Sequence, residues 1–237
     1  MPQELTILII TAASIGFFHT LIGPDHYIPF IVIAKARQWS LMKTMWITFL
    51  CGIGHIGSSV VLGILGIALG IAVTKLEVVE SFRGNLAAWA LIAFGLVYFV
   101  WGIRRSIRNK PHKHVHFHTD GDKHVHEHIH VEEHSHMHNV ENNVNITPWV
   151  LFTIFVFGPC EPLIPILMYP AAKNSFFGLL AVTFVFGGVT ILTMLSIVAV
   201  SSMGINLLPF KRIEKYSHAL AGAAIFFCGI AIQFLGL

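Results

Sequence analysis

The chain has 237 residues, of which 55% are hydrophobic and only 11% carry a formal charge. Soluble domains typically carry about 25% charged residues, so this composition excludes a soluble protein. The net charge of +3 does not indicate a nucleic-acid partner, because the basic residues gather at the ends of apolar segments, where topology and anionic lipid account for them. We therefore predict an integral membrane protein with the lipid bilayer as its environment.

Six apolar segments follow one another along the chain, near residues 5–34, 44–73, 86–103, 148–170, 176–203 and 217–237. A helix needs about 20 residues to cross the hydrocarbon core. Segments of this length exclude a barrel of short alternating strands. The predicted fold class is an all-α membrane protein with six transmembrane helices. The three cysteines lie inside apolar segments and form no Cys-x-x-Cys pair, so we expect no disulfide framework.

The lysines and arginines indicate the orientation. Twelve of the 15 lie in the connections after the first, third and fifth segments, and three lie in the other connections. The positive-inside rule places the group of twelve in the cytoplasm. We therefore predict an inner-membrane or plasma-membrane protein with both termini outside and a long cytoplasmic loop at residues 104–147.

That loop is rich in histidine. Eleven of the 15 histidines occupy it, many at alternate positions: His112, His114, His116, His118, His124, His126, His128, His130, His134, His136 and His138. The loop has few apolar residues and no helical period. Neutral imidazoles coordinate Ni, Co, Zn and Cu ions. We predict a disordered tract that binds transition metals, rather than a merely solvated linker.

The first apolar segment contains an unusual stretch, His19–Pro29, with two histidines and an aspartate where lipid would tolerate none. An ionisable side chain at bilayer depth costs about 2.5 to 3.5 kcal/mol on insertion scales, so such residues usually face protein or a water-filled path. Gly23-Pro24 and Pro29 also interrupt the helix, which a membrane permits only where the freed backbone groups line a cavity or meet protein. We predict a broken helix that carries the functional site.

The fourth segment repeats this pattern. Gly158–Pro165 echoes Gly23–Pro29 at an offset of about 135 residues. With three helices in each unit, the two halves must cross the membrane in opposite senses. We therefore predict two inverted three-helix repeats with broken first helices, residues 1–103 and 148–237, joined by the loop 104–147. Transporters commonly place the substrate between such broken helices near the membrane midplane.

Six side chains are candidate metal ligands. In an unbroken helix His19 and His26 would lie about 10.5 Å apart along the axis, so the Gly23-Pro24 break is what could bring them together. His55 enters from the second segment, in a stretch of glycines and serines that permits close helix contact. The alternatives are that His55 only bridges helices and that Cys160 only fills space. The predicted set is His19, Asp25, His26, His55, Cys160 and Glu161.

These residues resemble the signature segments of the nickel/cobalt transporter superfamily, NiCoT and NicO. His19 followed by Asp25-His26, and Gly54-His55 followed by Ser58-Ser59, are similar to its two motifs. The resemblance implies that the three histidines and the aspartate line the path of the metal. The histidine-rich loop also resembles that of NicO-type efflux members.

The second half resembles another family. Gly158-Pro159-Cys160 followed by prolines looks like the cysteine-bearing helix of the DsbD/CcdA membrane electron carriers. Those carriers need a cysteine in each repeat, because thiol exchange passes through a disulfide. Asp25 occupies the matching place here, so the resemblance implies a shared scaffold with different chemistry.

From these observations we predict a transporter of divalent transition-metal ions, with Ni²⁺ or Co²⁺ ahead of Zn²⁺, Mn²⁺ or Cu ions. We expect no enzymatic activity and no prosthetic group, because the metal is the substrate. We favour export, since a capture tract is most useful on the side from which ions leave. The alternatives are a membrane thiol/disulfide carrier and an anion exporter on the same architecture.

Overall fold

The computed structural model describes residues 2–108, 112–117, 123–128, 146–173, 175–206 and 214–236. Eight α-helices lie in these ranges. They are α1 (Pro2–Ile22), α2 (Ile28–Ala36), α3 (Leu41–Ala68), α4 (Val73–Arg108), α5 (Thr147–Phe157), α6 (Leu163–Ala172), α7 (Phe176–Asn206) and α8 (Ser217–Leu235). The part of the chain that crosses a membrane is thus helical, as predicted.

Five of the helices in the described ranges are long and apolar enough to span a membrane: α1, α3, α4, α7 and α8. This confirms an integral membrane protein. The remaining predicted span, 148–170, is divided between α5 and α6, and each of these is a shorter apolar helix. The structure therefore has five full-length spanning helices where we predicted six, because the Gly-Pro pattern that marks the fourth segment also splits it.

The first predicted break is confirmed. α1 ends at Ile22, a single 3₁₀ turn covers Pro24–His26, and α2 begins at Ile28. Gly23 takes an extended conformation (φ −76°, ψ 102°) ahead of Pro24, which has no N–H to continue the helix. The backbone N–H of His26 donates to the carbonyl oxygen of Gly23 at 3.2 Å, which closes the turn.

The second predicted break is confirmed as well. α5 ends at Phe157, and Gly158 is again extended (φ −60°, ψ 133°) ahead of a proline. The chain resumes as α6 at Leu163, whose N–H donates to the carbonyl oxygen of Cys160 at 2.9 Å. Both apolar segments that carry the Gly-Pro echo are therefore helix pairs around a short irregular stretch.

The third predicted span is longer than its apolar run. We placed it at residues 86–103, but α4 starts at Val73 and continues past the predicted boundary to Arg108. The charged residues of its first turns indicated a loop. In the structure Glu80 and Arg83 form an ion pair three positions apart on one helix face, so their charges offset each other and the helix continues through them.

Three sets of contacts hold the long helices together. α1 lies against α7, and α3 lies against α5 and α7, while α4 and α8 form the most extensive pairing. One hydrophobic cluster includes Phe30, Phe155 and Met194. A second one surrounds Leu163 and Phe186. α2 and α5 contribute residues to the first cluster and α6 to the second, so both broken helices are packed into the bundle.

The histidine-rich loop contains a short antiparallel hairpin, β1 (His112–Phe117) and β2 (Lys123–His128). We predicted disorder here, and for these twelve residues the structure has strands, since alternation with a period of two suits a strand. The register pairs His112 with His128, His114 with His126, and His116 with His124. His118, His130, His134, His136 and His138, for which we predicted the same disordered tract, lie outside the described residues.

The α4–α8 contact depends on glycine. A Cβ atom at Gly222 would overlap the backbone nitrogen of Phe99, and one at Gly95 would overlap that of Phe226. Gly222→Ala is therefore expected to lower the free energy of unfolding by about 1 to 3 kcal/mol, because the two backbones must separate. Thermal unfolding in detergent measures this. Gly188→Ala is the matched control, since nothing lies within 4 Å of a Cβ atom there, and an equal loss in both variants would contradict the close packing.

Candidate metal site

Three of the predicted ligands meet inside the bundle. His19 comes from the last turns of α1, His26 from the turn after the first break, and His55 from the middle of α3. Each offers one ring nitrogen, and these nitrogens all lie within 4.8 Å of one another. The ring centroids of His19 and His26 are 4.8 Å apart, and those of His26 and His55 are 5.1 Å apart. The break brings His26 back toward His19, as the spacing argument requires.

The Nε2 atoms of all three histidines are buried and have no hydrogen-bond partner within the described residues. A buried polar atom without a partner is costly, and an imidazole nitrogen with a free lone pair is a metal ligand. Two ligands that share one ion at about 2.1 Å can be at most about 4.2 Å apart, so binding requires only a small closure of the rings. The cluster is therefore suited to one transition-metal ion.

The first break fixes the tautomer of His26. Its Nδ1 lies 3.1 Å from the carbonyl oxygen of Gly23 and 3.1 Å from Oδ1 of Asp25. Both partners are acceptors, so Nδ1 carries the proton and donates, which leaves Nε2 as the lone-pair donor. A carboxylate behind a ligating histidine orients the ring and increases its basicity. The Asp25 carboxylate thus lies on the Nδ1 side of His26, opposite the unpartnered Nε2.

His55 connects the cluster to the second break. Its ring lies beside that of Phe155 in α5, with ring centroids 6.2 Å apart. Its Nδ1 would lie 3.2 Å from a Cβ atom at Gly158, the glycine that opens the break. Only 2% of His55 is exposed. The ring is therefore held between α3 and the second broken helix, and both breaks contribute to its environment.

A cavity of about 680 Å³ joins the two breaks. His19, Asp25, His26 and His55 line it from the first half of the chain, and Glu161 lines it from the second half. The cavity can therefore hold a hydrated ion beside three imidazoles, with carboxylates from both breaks to balance the positive charge.

Among the described residues, the lining of the cavity extends to one end of the bundle. It extends to Gln233 and Gly236, in and just after the last turn of α8, and to Ser81 near the start of α4. Toward the opposite end, Phe30 and Phe155 pack with ring centroids 4.7 Å apart. These two rings belong to the first hydrophobic cluster.

Cys160 has a different environment from the other five candidates. It is completely buried (0% exposed) in the hydrophobic cluster that also contains Ala12, Ile56 and Leu163. The structure brings His19, Asp25, His26, His55 and Glu161 to one cavity and leaves the Cys160 side chain in apolar surroundings. A ligand role for Cys160 stays a prediction.

A polar group that is not among the predicted site residues lies next to this site. Glu80 is only 1% exposed and pairs with Arg83. Arg83 is one of the three basic residues that the sequence places in the other connections, and Glu80 is not among the predicted site residues. The signal was present in the sequence, because Glu80 and Arg83 have the i, i+3 spacing of a helical ion pair directly before an apolar run.

Comparisons with known protein families, characterised proteins and solved structures found no match to this chain. The fold and the site define an integral membrane protein with a buried histidine cluster between two interrupted helices. The function is therefore inferred from the chemistry of that histidine cluster.

Proposed function

We propose that this protein transports a divalent transition-metal ion across the membrane through the three-histidine cluster. The observation that carries the proposal is the meeting of His19, His26 and His55 in a cavity between two broken helices. Histidines buried within membrane-spanning helices are expensive and mark ion paths. Their unpartnered Nε2 atoms supply the ligands that the ion would use.

The donor set indicates the class of ion. Imidazole nitrogen suits Ni, Co, Zn and Cu ions, whereas Mg²⁺ and Ca²⁺ prefer cages of oxygen. Asp25 and Glu161 would balance the charge of a divalent cation, which neutral histidines alone cannot do. Nickel and cobalt are our first candidates, because the His19, Asp25-His26 and Gly54-His55 pattern resembles that of nickel/cobalt transporters.

The helix contacts support two inverted repeats. If a twofold axis exchanges the halves, the contact of α1 with α7 must recur as a contact of α5 with α3. Both contacts are present, and the third helices of the two halves, α4 and α8, pair with each other. This is the arrangement in which one half moves against the other around a central site.

The cavity and the contact between Phe30 and Phe155 indicate which state of the transport cycle the structure represents. In the orientation that the positive-inside rule favours, the end of α8 faces the outside. The cavity then opens outward, and Phe30 and Phe155 close the cytoplasmic side. Transport would require these rings to separate while the opposite end closes.

The alternative function, a thiol/disulfide carrier, receives no support from the cysteines. Cys51, Cys160 and Cys228 are all free and buried, whereas thiol exchange needs an accessible thiolate. Cys160→Ser separates the two functions, because it should be mild for metal transport and fatal for electron transfer.

Reconstitution into vesicles of known orientation tests the proposal. Metal transport predicts protein-dependent flux of Ni²⁺ or Co²⁺ that a chelator abolishes and that Mg²⁺ does not share. Flux of an anion that is insensitive to chelators, without movement of metal, would contradict it and favour the anion exporter.

The histidine-rich loop is expected to set the apparent affinity and not the maximal rate. Replacing all eleven of its histidines with serine keeps the loop length and removes its metal ligands. The metal concentration for half-maximal flux should rise several-fold when metal is supplied on the loop side, because the loop no longer concentrates ions near the entrance. The rate at saturating metal should be unchanged. A large fall in that rate would show that the loop belongs to the transport path.

A further inference from the structure

The buried pair of Glu80 and Arg83 lies directly beside the second break. Glu80 is 1% exposed, and its carboxylate has partners on both oxygens. Arg83 donates to Oε1, and the hydroxyl of Ser59 donates to Oε2 at 3.2 Å. A buried charge is tolerated when it is paired and hydrogen-bonded in this way. Burying Glu80 and Arg83 costs free energy, and further hydrogen bonds to the backbone offset part of that cost.

The group holds the backbone of the break. The N–H of Cys160 lies 3.2 Å from Oε2 of Glu80 and 3.1 Å from the hydroxyl of Ser59. Arg83 Nη2 donates to the carbonyl oxygen of Val156 at 2.8 Å. These are backbone groups that an interrupted helix cannot satisfy internally, and in a membrane they must find protein partners.

The same group also reaches the histidine cluster. Arg83 Nη2 donates to Oγ of Ser58 at 2.6 Å, and that hydroxyl donates to the carbonyl oxygen of His55 at 2.8 Å. On the other side, a Cβ atom at Gly84 would lie 2.8 Å from Pro159 and 3.7 Å from Oε1 of Glu161. The start of α4 therefore contacts both the helix of His55 and the stretch that carries Glu161.

The first break is supported by residues of its own segment. It is held by its own side chains, since His26 Nδ1 bonds the Gly23 carbonyl at 3.1 Å and the Tyr27 hydroxyl donates to the Leu21 carbonyl at 3.3 Å. The second break has prolines at 159 and 162 and depends on Glu80 and Arg83. The two halves of the bundle thus support equivalent breaks by different means.

We propose that Glu80 and Arg83 are positioning residues that fasten the second broken helix to α3 and so set Glu161 opposite the three histidines. The inference rests on the proposed function for its effect on transport. Its structural part, the fastening of the break, is independent of which substrate is carried.

The native Cys160 thiol reports on this fastening. It is fully buried, and its own backbone N–H is one of the groups that Glu80 holds. Glu80→Gln keeps an acceptor in place but removes the charge that pairs with Arg83. We expect a thiol reagent to modify Cys160 at least about tenfold faster in this variant than in the wild-type protein, which corresponds to about 1.4 kcal/mol in the opening of the break.

Peptide mapping by mass spectrometry measures the three cysteines separately in the full chain. Cys51 and Cys228 are buried elsewhere, and their rates should not change. Glu77→Gln is the matched control, one turn earlier on α4 and exposed, and it should leave all three rates unchanged. Unchanged labelling of Cys160 in Glu80→Gln would overturn the proposal.

A second variant covers general unfolding. If Glu80→Gln exposes all three cysteines equally, the test is repeated with Ser59→Ala. This variant removes one partner of the Cys160 N–H and leaves the ion pair intact. It should then accelerate Cys160 alone. Equal acceleration of the three thiols in both variants would overturn the proposal.

Transport supplies the other readout. Glu80→Gln should raise the Co²⁺ concentration for half-maximal flux by about tenfold, and it should add little to the effect of Glu161→Gln, because it acts through Glu161. Additive effects would overturn the positioning role. If the wild-type protein moves no metal, the proposed function fails, while the labelling of Cys160 still decides whether the break is fastened by Glu80.

Discussion

Replacing His26 with alanine is expected to reduce Ni²⁺ or Co²⁺ flux through the reconstituted protein by at least about 100-fold, since loss of a mere outer partner of a ligand already costs 10- to 100-fold. His26 is the central member of the cluster, with ring centroids 4.8 Å from His19 and 5.1 Å from His55. Without it, only the imidazoles of His19 and His55 remain to hold the ion, and the cluster loses one of its three nitrogen ligands.

His218→Ala is the matched control for this variant. His218 is also a histidine of a membrane-spanning helix, but its Nδ1 lies 2.8 Å from the Tyr98 hydroxyl, and its ring packs on Trp101, away from the cavity. Its loss should leave metal flux near the wild-type value. Normal flux in His26→Ala, or equal losses in the two variants at equal amounts of folded protein, would remove His26 from the ion path.

Asp25→Ala is expected to lower metal flux by about 10- to 100-fold, the range measured for outer partners of ligating histidines. The Asp25 carboxylate lies 3.1 Å from Nδ1 of His26, so its removal frees the ring to rotate and to change tautomer. It also deletes one of the negative charges that face the cavity.

Asp25→Asn separates these two effects, because its amide oxygen can still accept from His26 while the charge is gone. Flux close to that of the wild-type protein in Asp25→Asn would assign Asp25 to ring orientation. Flux as low as in Asp25→Ala would assign it to charge balance. Wild-type flux in both variants would contradict any role for Asp25 in transport.

The helix breaks and the histidine cluster could be predicted from the sequence because their causes are local. Gly23-Pro24 favours an interruption through its own backbone, since glycine adopts extended angles readily and proline has no N–H to donate, and the same is true of the Gly-Pro pair at 158 and 159. Once the first break was expected, the approach of His26 to His19 followed from the length of helix between them. His55 needed one further assumption, that the glycines around it allow close helix contact.

Other features depend on geometry that the sequence does not display. The direction of the Cys160 side chain is set by the backbone angles after Pro159, so its burial among apolar residues could not be derived from its position in the repeat. The Glu80 carboxylate is explained by partners at residues 59 and 160, which are distant in the sequence. Its charge lowers the mean hydropathy of the first turns of α4, so the apolar run that predicts this helix begins after them.

The most direct measurement is a structure of the cobalt-loaded protein with an anomalous difference map that locates the metal. Three-histidine coordination predicts a cobalt peak in the cavity about 2.1 Å from the Nε2 atoms of His19, His26 and His55. The rings should have closed around it, and the peak should vanish in His26→Ala. Cobalt bound only to residues 112–138, with no peak among the three rings under saturating metal, would contradict a transport site at this cluster.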